Sequence, residues 1–132
     1  IGSRASDNAC TAVVASLAGI HAVTVLAHFI DGSGGTTCKA YVQTSLDGGS
    51  TWVDVMAFSF TTVTALRVSM VKRDTALAAA VVPTDGTLAD DTILDGLLGS
   101  LLRVKYTTTG TYTGQSRLRI DAVLHAAHGD AR

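Results

Sequence analysis

The side chains best suited to chemistry in this sequence are aspartates, histidines and two cysteines. Asp85, Asp90, Asp91 and Asp95 form the densest acidic group. Paired carboxylates can serve as general acid and base or bind calcium, but this spacing does not match an EF-hand loop. A solvated acidic loop is the expectation, with weak calcium binding or contact with a basic neighbouring subunit as alternatives. His125 and His128 sit near the C-terminus, ahead of Gly129 and Asp130. A metal site there would need further ligands at fixed geometry, and this tail offers no dense set. His21 and His28 fall on opposite faces of one strand and cannot share a site. No G-x-S-x-G elbow surrounds any serine, and the glycine-rich run at 32–35 lacks the Lys-Ser/Thr ending of a phosphate loop. That run is expected to be a hairpin tip. Cys10 and Cys38 have no zinc-type spacing. They are either two buried thiols acting as small hydrophobes or one bridge pinning the N-terminal arm to the strand around Cys38. The bridge needs an oxidising compartment and Cα atoms within about 7 Å. No catalytic residue, metal or cofactor emerges.

Composition sets the frame for these residues. The chain has 132 residues, 47% hydrophobic and only 16% charged, with a net charge of −1. So few charges leave the surface to Thr, Ser and Gly. Without a basic footprint there is no argument for nucleic acid, and the apolar runs are too short to span a membrane. No signal peptide is recognisable, and a start at Ile1 fits either processing or a missing first residue. At this mass about two-thirds of the unfolded surface is buried on folding, enough for one domain over residues 1–132. Arms at about 1–9 and 126–132 are expected to be loosely ordered or docked on a partner.

Period two dominates the pattern. Residues 20–30 are apolar on both faces, as a central strand would be. After a breaker at 31–35, residues 36–45 alternate, with Cys38, Ala40 and Val42 on one face and Lys39, Tyr41 and Gln43 on the other. The stretch 51–60 sets Trp52, Met56, Phe58 and Phe60 on one face, with Asp54 the polar exception. Residues 65–72 are expected to turn Leu66, Val68 and Met70 inward. Leu102, Val104 and Tyr106 follow in 101–107, then Leu118, Ile120, Ala122 and Leu124 in 116–124. Arg103, Lys105, Arg117 and Arg119 are expected on solvated faces, and Thr109-Gly110 with Thr113-Gly114 supplies the turn between these two strands. Residues 73–100 form a long connection crossing between sheets, with room for a short helix before Pro83 or around 87–98. The fold class is all-β, an antiparallel β-sandwich of jelly-roll-like type.

One motif is sharp. Ser45-Leu46-Asp47-Gly48-Gly49-Ser50-Thr51-Trp52 fits S-x-D-x-G-x-T-W and resembles the Asp-box, a hairpin found in sialidases, other propellers and assorted β-rich proteins. Asp47 can accept backbone N–H bonds across the turn, Gly49 permits a positive φ, Thr51 can return a side-chain bond, and Trp52 can bury its ring under the hairpin. The resemblance implies a structural role, since the box usually lies away from catalytic centres. A propeller needs several blades of about 40–50 residues, so one box in a chain this short is no sialidase.

The stretches Tyr41–Thr44, Val53–Phe58, Leu102–Tyr106 and Thr107–Tyr112, taken with the box, resemble small structural proteins of tailed bacteriophages. The resemblance covers about residues 36–124. It implies a non-enzymatic virion component, a capsid decoration or head–tail neck protein. Such a protein would self-associate, most simply as a trimer, dock on major capsid or neck proteins, and reside in the virion after assembly in the host cytoplasm. The alternative is a carbohydrate-binding or adhesion module using Tyr41, Tyr106 and Tyr112.

Overall fold

The computed structural model describes residues 9–10, 15–73, 76–77, 79–114 and 116–126. The strands are β1 (Ala9–Cys10), β2 (Ala15–Ser16), β3 (Ile20–Ile30), β4 (Ser33–Gly34), β5 (Thr37–Ser45), β6 (Val53–Phe60), β7 (Ala65–Lys72), β8 (Leu101–Thr109), β9 (Tyr112–Thr113) and β10 (Arg117–Ala126). All pairings are antiparallel. One sheet runs β1-β8-β5-β6, with β2 also on β8; a second runs β10-β3-β7; β4 and β9 form a small third pair. The β5 sheet and the β3 sheet pack face to face, so the all-β sandwich is the observed architecture. No helix occurs among the described residues, and hence none long and apolar enough to cross a membrane.

Alternation explains most of the interior. From the β3 sheet come Val23, Val25, Ala27, Phe29 and Leu118; from the β5 sheet come Cys38, Ala40, Val42, Met56, Phe58, Phe60, Leu102, Val104 and Tyr106. Phe29 joins the layers, stacking on Phe60 at 5.4 Å and meeting Tyr112 edge-on at 5.5 Å. These are favourable aromatic geometries.

The β5–β6 pairing contains a bulge. Val42 faces Met56, but Gln43 faces Asp54, so Val55 is the extra residue. One inserted residue reverses the parity of everything before it. Asp54 is therefore no polar exception on the core face. It shares the outer face of the β5 sheet with Gln43.

Three expectations about faces are corrected. Leu66, Val68 and Met70 point outward, 56%, 65% and 43% exposed. β7 pairs with β3 so that they stand beside His28, Leu26 and Thr24, while Val71, Ser69, Arg67 and Ala65 stand beside the core residues Val23, Val25, Ala27 and Phe29. At this rim the core side is open enough that Arg67 stays exposed while lying 5.5 Å over the Phe60 ring and pairing with Asp91 at 3.5 Å. On β10 the core side is only partly closed, with Ile120 and Leu124 half-buried and Ala122 exposed. Arg103 and Lys105 are not solvated, because residues of the long connection cover them.

Loop assignments shift as well. Residues 31–36 are no hairpin tip. They carry the chain from the β3 sheet to the β5 sheet, and Ser33–Gly34 pairs with Tyr112–Thr113 on the way. The segment around Gly110 and Gly114 likewise crosses between sheets. The 73–100 connection does cross from β7 to β8, as expected, but its described residues hold no helix. Its backbone bonds are made to strands instead: Ala57 N donates to Thr92 O at 2.9 Å, Leu94 N to Val55 O at 2.8 Å, and Asp54 N to Thr84 O at 2.9 Å. Of the expected arms, 1–8 and 127–132 lie outside the described residues, while Ala9 and Ala126 belong to strands.

The Cys10–Cys38 bridge is not formed. Cys38 is a free, buried thiol. Register gives the reason: Cys10 pairs with Lys105, whose other neighbour is Tyr41, whereas Cys38 lies three positions along that strand. Two inter-strand steps and three residues separate the Cα atoms by roughly 14 Å, twice what a disulfide allows. Burial pushes the Cys38 thiol up to about 11. At pH 8 the Cys38 peptide should therefore escape iodoacetamide in the folded protein and react fully once urea unfolds it, as peptide mass mapping would show; rapid labelling of native protein would contradict this burial.

Candidate functional site

The polar residues converge on the outer face of the β5 sheet, around Asp54. This side chain is completely buried. Its Oδ2 accepts from Thr84 Oγ1 at 2.9 Å and from the backbone N–H groups of Gly86, Thr87 and Leu88 at 2.8, 3.0 and 3.2 Å. Its Oδ1 accepts from Gln43 Nε2 at 2.8 Å. A carboxylate without water needs such a set of donors, and here a turn of the long connection supplies most of them.

The cluster extends sideways. Gln43 Nε2 also donates to Asp85 at 2.7 Å, and its Oε1 accepts from Arg103 Nε at 2.7 Å. Lys105 Nζ lies 3.2 Å from both the Asp85 carboxylate and its carbonyl oxygen. Arg103 then spreads its guanidinium 4.3 Å over the Trp52 ring. The Gln43 amide above all, with help from Lys105 and Arg103, holds the Asp85 carboxyl below its ordinary value despite partial burial.

Asp85, Asp90 and Asp91 are solvent-exposed, as expected of an acidic loop, and Asp95 is half-buried, yet all four are also bonded. Asp85 binds the cluster just described. Asp90 pairs with Lys39 at 3.0 Å, Asp91 accepts from Ser59 N at 3.0 Å, and Asp95 accepts from Lys72 N at 2.7 Å. Each ties the connection to a different strand. Among the described residues no group of three His, Cys or Asp side chains could hold a metal.

The 45–52 turn adjoins this cluster through Trp52. Gly49 N donates to Ser45 Oγ at 2.8 Å, Thr51 N to Asp47 Oδ1 at 2.8 Å, and Ser45 Oγ to Asp47 Oδ1 at 3.0 Å. Trp52 Nε1 donates to Gly49 O at 3.0 Å, and the ring is half-buried between the turn and Arg103. Gly49 has a φ of 104°, which a side chain would strain. The Thr51 N–H, foremost among several donors, lowers the Asp47 carboxyl. Gly99 closes the far side, since a Cβ there would overlap the Ser45 carbonyl.

Other sequence candidates are dispersed. His125 Nε2 meets Thr24 Oγ1 at 3.0 Å on the outer face of the β3 sheet, and His28 lies farther along that face. His21 lines an open groove of about 500 Å³ with Leu17, Ile20, Leu46 and Arg73. The Arg73 guanidinium there is engaged by the carbonyls of Ile20, Leu98 and Gly99. His128 lies outside the described residues. Tyr41, Tyr106 and Tyr112 are 4%, 5% and 4% exposed. Sequence reasoning did not find the Asp54 cluster. Its signal was present, a lone acid inside the run Val53–Phe60, which the interior tolerates only with partners.

The remaining feature is a surface. The outer face of the β3 sheet carries Leu66, Val68 and Met70 on β7, Leu26 on β3 and Val123 on β10, with Val123 58% exposed. Three strands at about 4.8 Å and ten residues at about 3.3 Å give a face near 450 Å². The apolar side chains share that face with His28, Arg119, Asp121 and His125, so the apolar patch is smaller than the face itself. Comparison with protein-family models, curated proteins and solved structures returned no match.

Two outcomes are expected. Asp54→Ala leaves buried N–H groups without an acceptor and should destabilise the fold by about 3–5 kcal/mol; an unchanged urea midpoint would refute the cluster's role. The Asp47 and Asp85 carboxyls are lowered on folding, so their stabilisation is complete above the unfolded value of about 4 and disappears as pH falls through the folded values. Melting temperature should decline below pH 4, and less steeply in the double variant Asp47→Asn/Asp85→Asn.

Proposed function

We propose that this chain is a non-enzymatic structural subunit of a tailed-bacteriophage particle, a capsid decoration or head–tail neck protein that acts by self-association and docking on other virion proteins. The observation that carries this reading is the exposed apolar face of the β3 sheet, backed by a sandwich whose polar groups are spent on internal bonds. A rigid block that exposes Leu66, Val68, Met70 and Val123 on one face is suited to assembly. The resemblance of residues 36–124, with the 45–52 turn, to tailed-phage proteins supplies the setting.

The size of the face bears on how it would work. A stable pair contact covers about 800 Å² per partner, so an apolar patch smaller than this face of about 450 Å² binds weakly alone and gains strength when repeated on a symmetric shell. The sugar-binding alternative is less well supported. An adhesion surface of that kind presents aromatic rings to solvent, whereas all three tyrosines face the interior or the covered side of the β5 sheet.

The deciding experiment is mass spectrometry of purified tailed particles from the source material. Peptides of this chain should be present in many copies per particle, and particles grown with the Val68→Lys variant should lose most of them while the variant stays folded. Particles devoid of the chain would overturn the proposal.

A further inference from the structure

The two sheets differ at their edges. In the β5 sheet, β6 is lined by residues 92–94 and β8 by β1 and β2. β10 pairs with β3 from Arg117 to Ala126, and among the described residues nothing pairs with its outer side. An open edge of 10 residues is long, and it is a ready template for another strand. The core side of this strand repeats the point. Ala27, Val25 and Val23 are buried, yet their register partners Ile120, Ala122 and Leu124 remain partly or fully accessible. The interior is unfinished along this edge.

We propose that a second copy of this chain completes the edge by antiparallel β10–β10 pairing about a two-fold axis at Ile120, which makes the β3 sheet continuous across two molecules. This inference deepens the self-association proposed above and rests on it. Charge selects the register. With the axis at Ile120, Arg119 stands opposite Asp121 of the partner subunit, and Asp121 opposite Arg119 of the partner subunit. The intramolecular Arg119–Asp121 pair at 2.9 Å then becomes an alternating cluster of four charges. An axis at Arg119 would face two arginines, and one at Asp121 two aspartates. On the core side the same register sets Ile120 on itself and Leu118 against Ala122, an apolar ladder that covers the accessible residues. A self-complementary patch of this kind is what a two-fold contact requires. Pairing also places the exposed Leu66, Val68 and Met70 of both copies on one continuous outer face, with the charges of Arg119 and Asp121 along its seam. The product is a dimer, in place of the trimer expected from sequence.

Sedimentation of the full chain tests this, with circular dichroism confirming that each variant is folded. Wild type should dimerise. Arg119→Asp and Asp121→Arg should each raise the dissociation constant about tenfold, since both opposed pairs become repulsive. Combining the two substitutions should restore wild-type association. In a Cys10→Ser background, Ile120→Cys should form a disulfide-linked dimer on mild oxidation, because directly opposed strand residues lie within bridging distance. A wild-type protein that stays monomeric at millimolar concentration would overturn the pairing. So would an oligomer indifferent to both single reversals, although that result would leave the structural role standing, to be judged by the content of purified particles.

Discussion

A buried carboxylate holds this fold in its particular shape. Asp54 lies under the long connection on the outer side of the β5 sheet, and it is satisfied by Gln43 and by the successive N–H groups of Gly86, Thr87 and Leu88. An ionised group without water is tolerated only when donors surround it, so this aspartate dictates where the connection must run. The bulge at Val55 is what turns Asp54 to that side. Lys39, Ser59 and Lys72 then receive Asp90, Asp91 and Asp95, and the connection becomes a third partial layer on one face of the sandwich.

The consequence is an asymmetric molecule. One sheet is covered on both sides and its edges are lined. Among the described residues the other is covered only within, leaving Leu66, Val68, Met70 and Val123 outside and the β10 edge unpaired. Internal polar bonding is concentrated on one side of this protein, and exposed apolar side chains on the other.

Much of this was legible in the letters. The breakers and the alternation of residues 36–45 and 101–107 located their strands, and the spacing from Ser45 to Trp52 located the β5–β6 turn. The failures have physical causes. Leu66, Val68 and Met70 alternate equally well whether they face the core or solvent; only pairing with β3 decides, and no local pattern carries it. Asp85, Asp90, Asp91 and Asp95 would look the same in a solvated loop as in one pinned by each carboxylate. Arg103 and Lys105 read as surface residues because the element that covers them is irregular. The glycine-rich run at 32–35 signals a turn but cannot say whether it joins neighbours in one sheet or crosses to the other.

Gln43 aside, the donors for Asp54 come from residues 84–88, well downstream, so the β5–β6 hairpin by itself leaves most of this acid's bonding to water. Closing the connection over the sheet and drying this one side chain are therefore a single coupled event. Without that closure the outer side of the β5 sheet would stand open to water at Asp54, Gln43 and Arg103, so the connection is what makes this side of the sheet an interior.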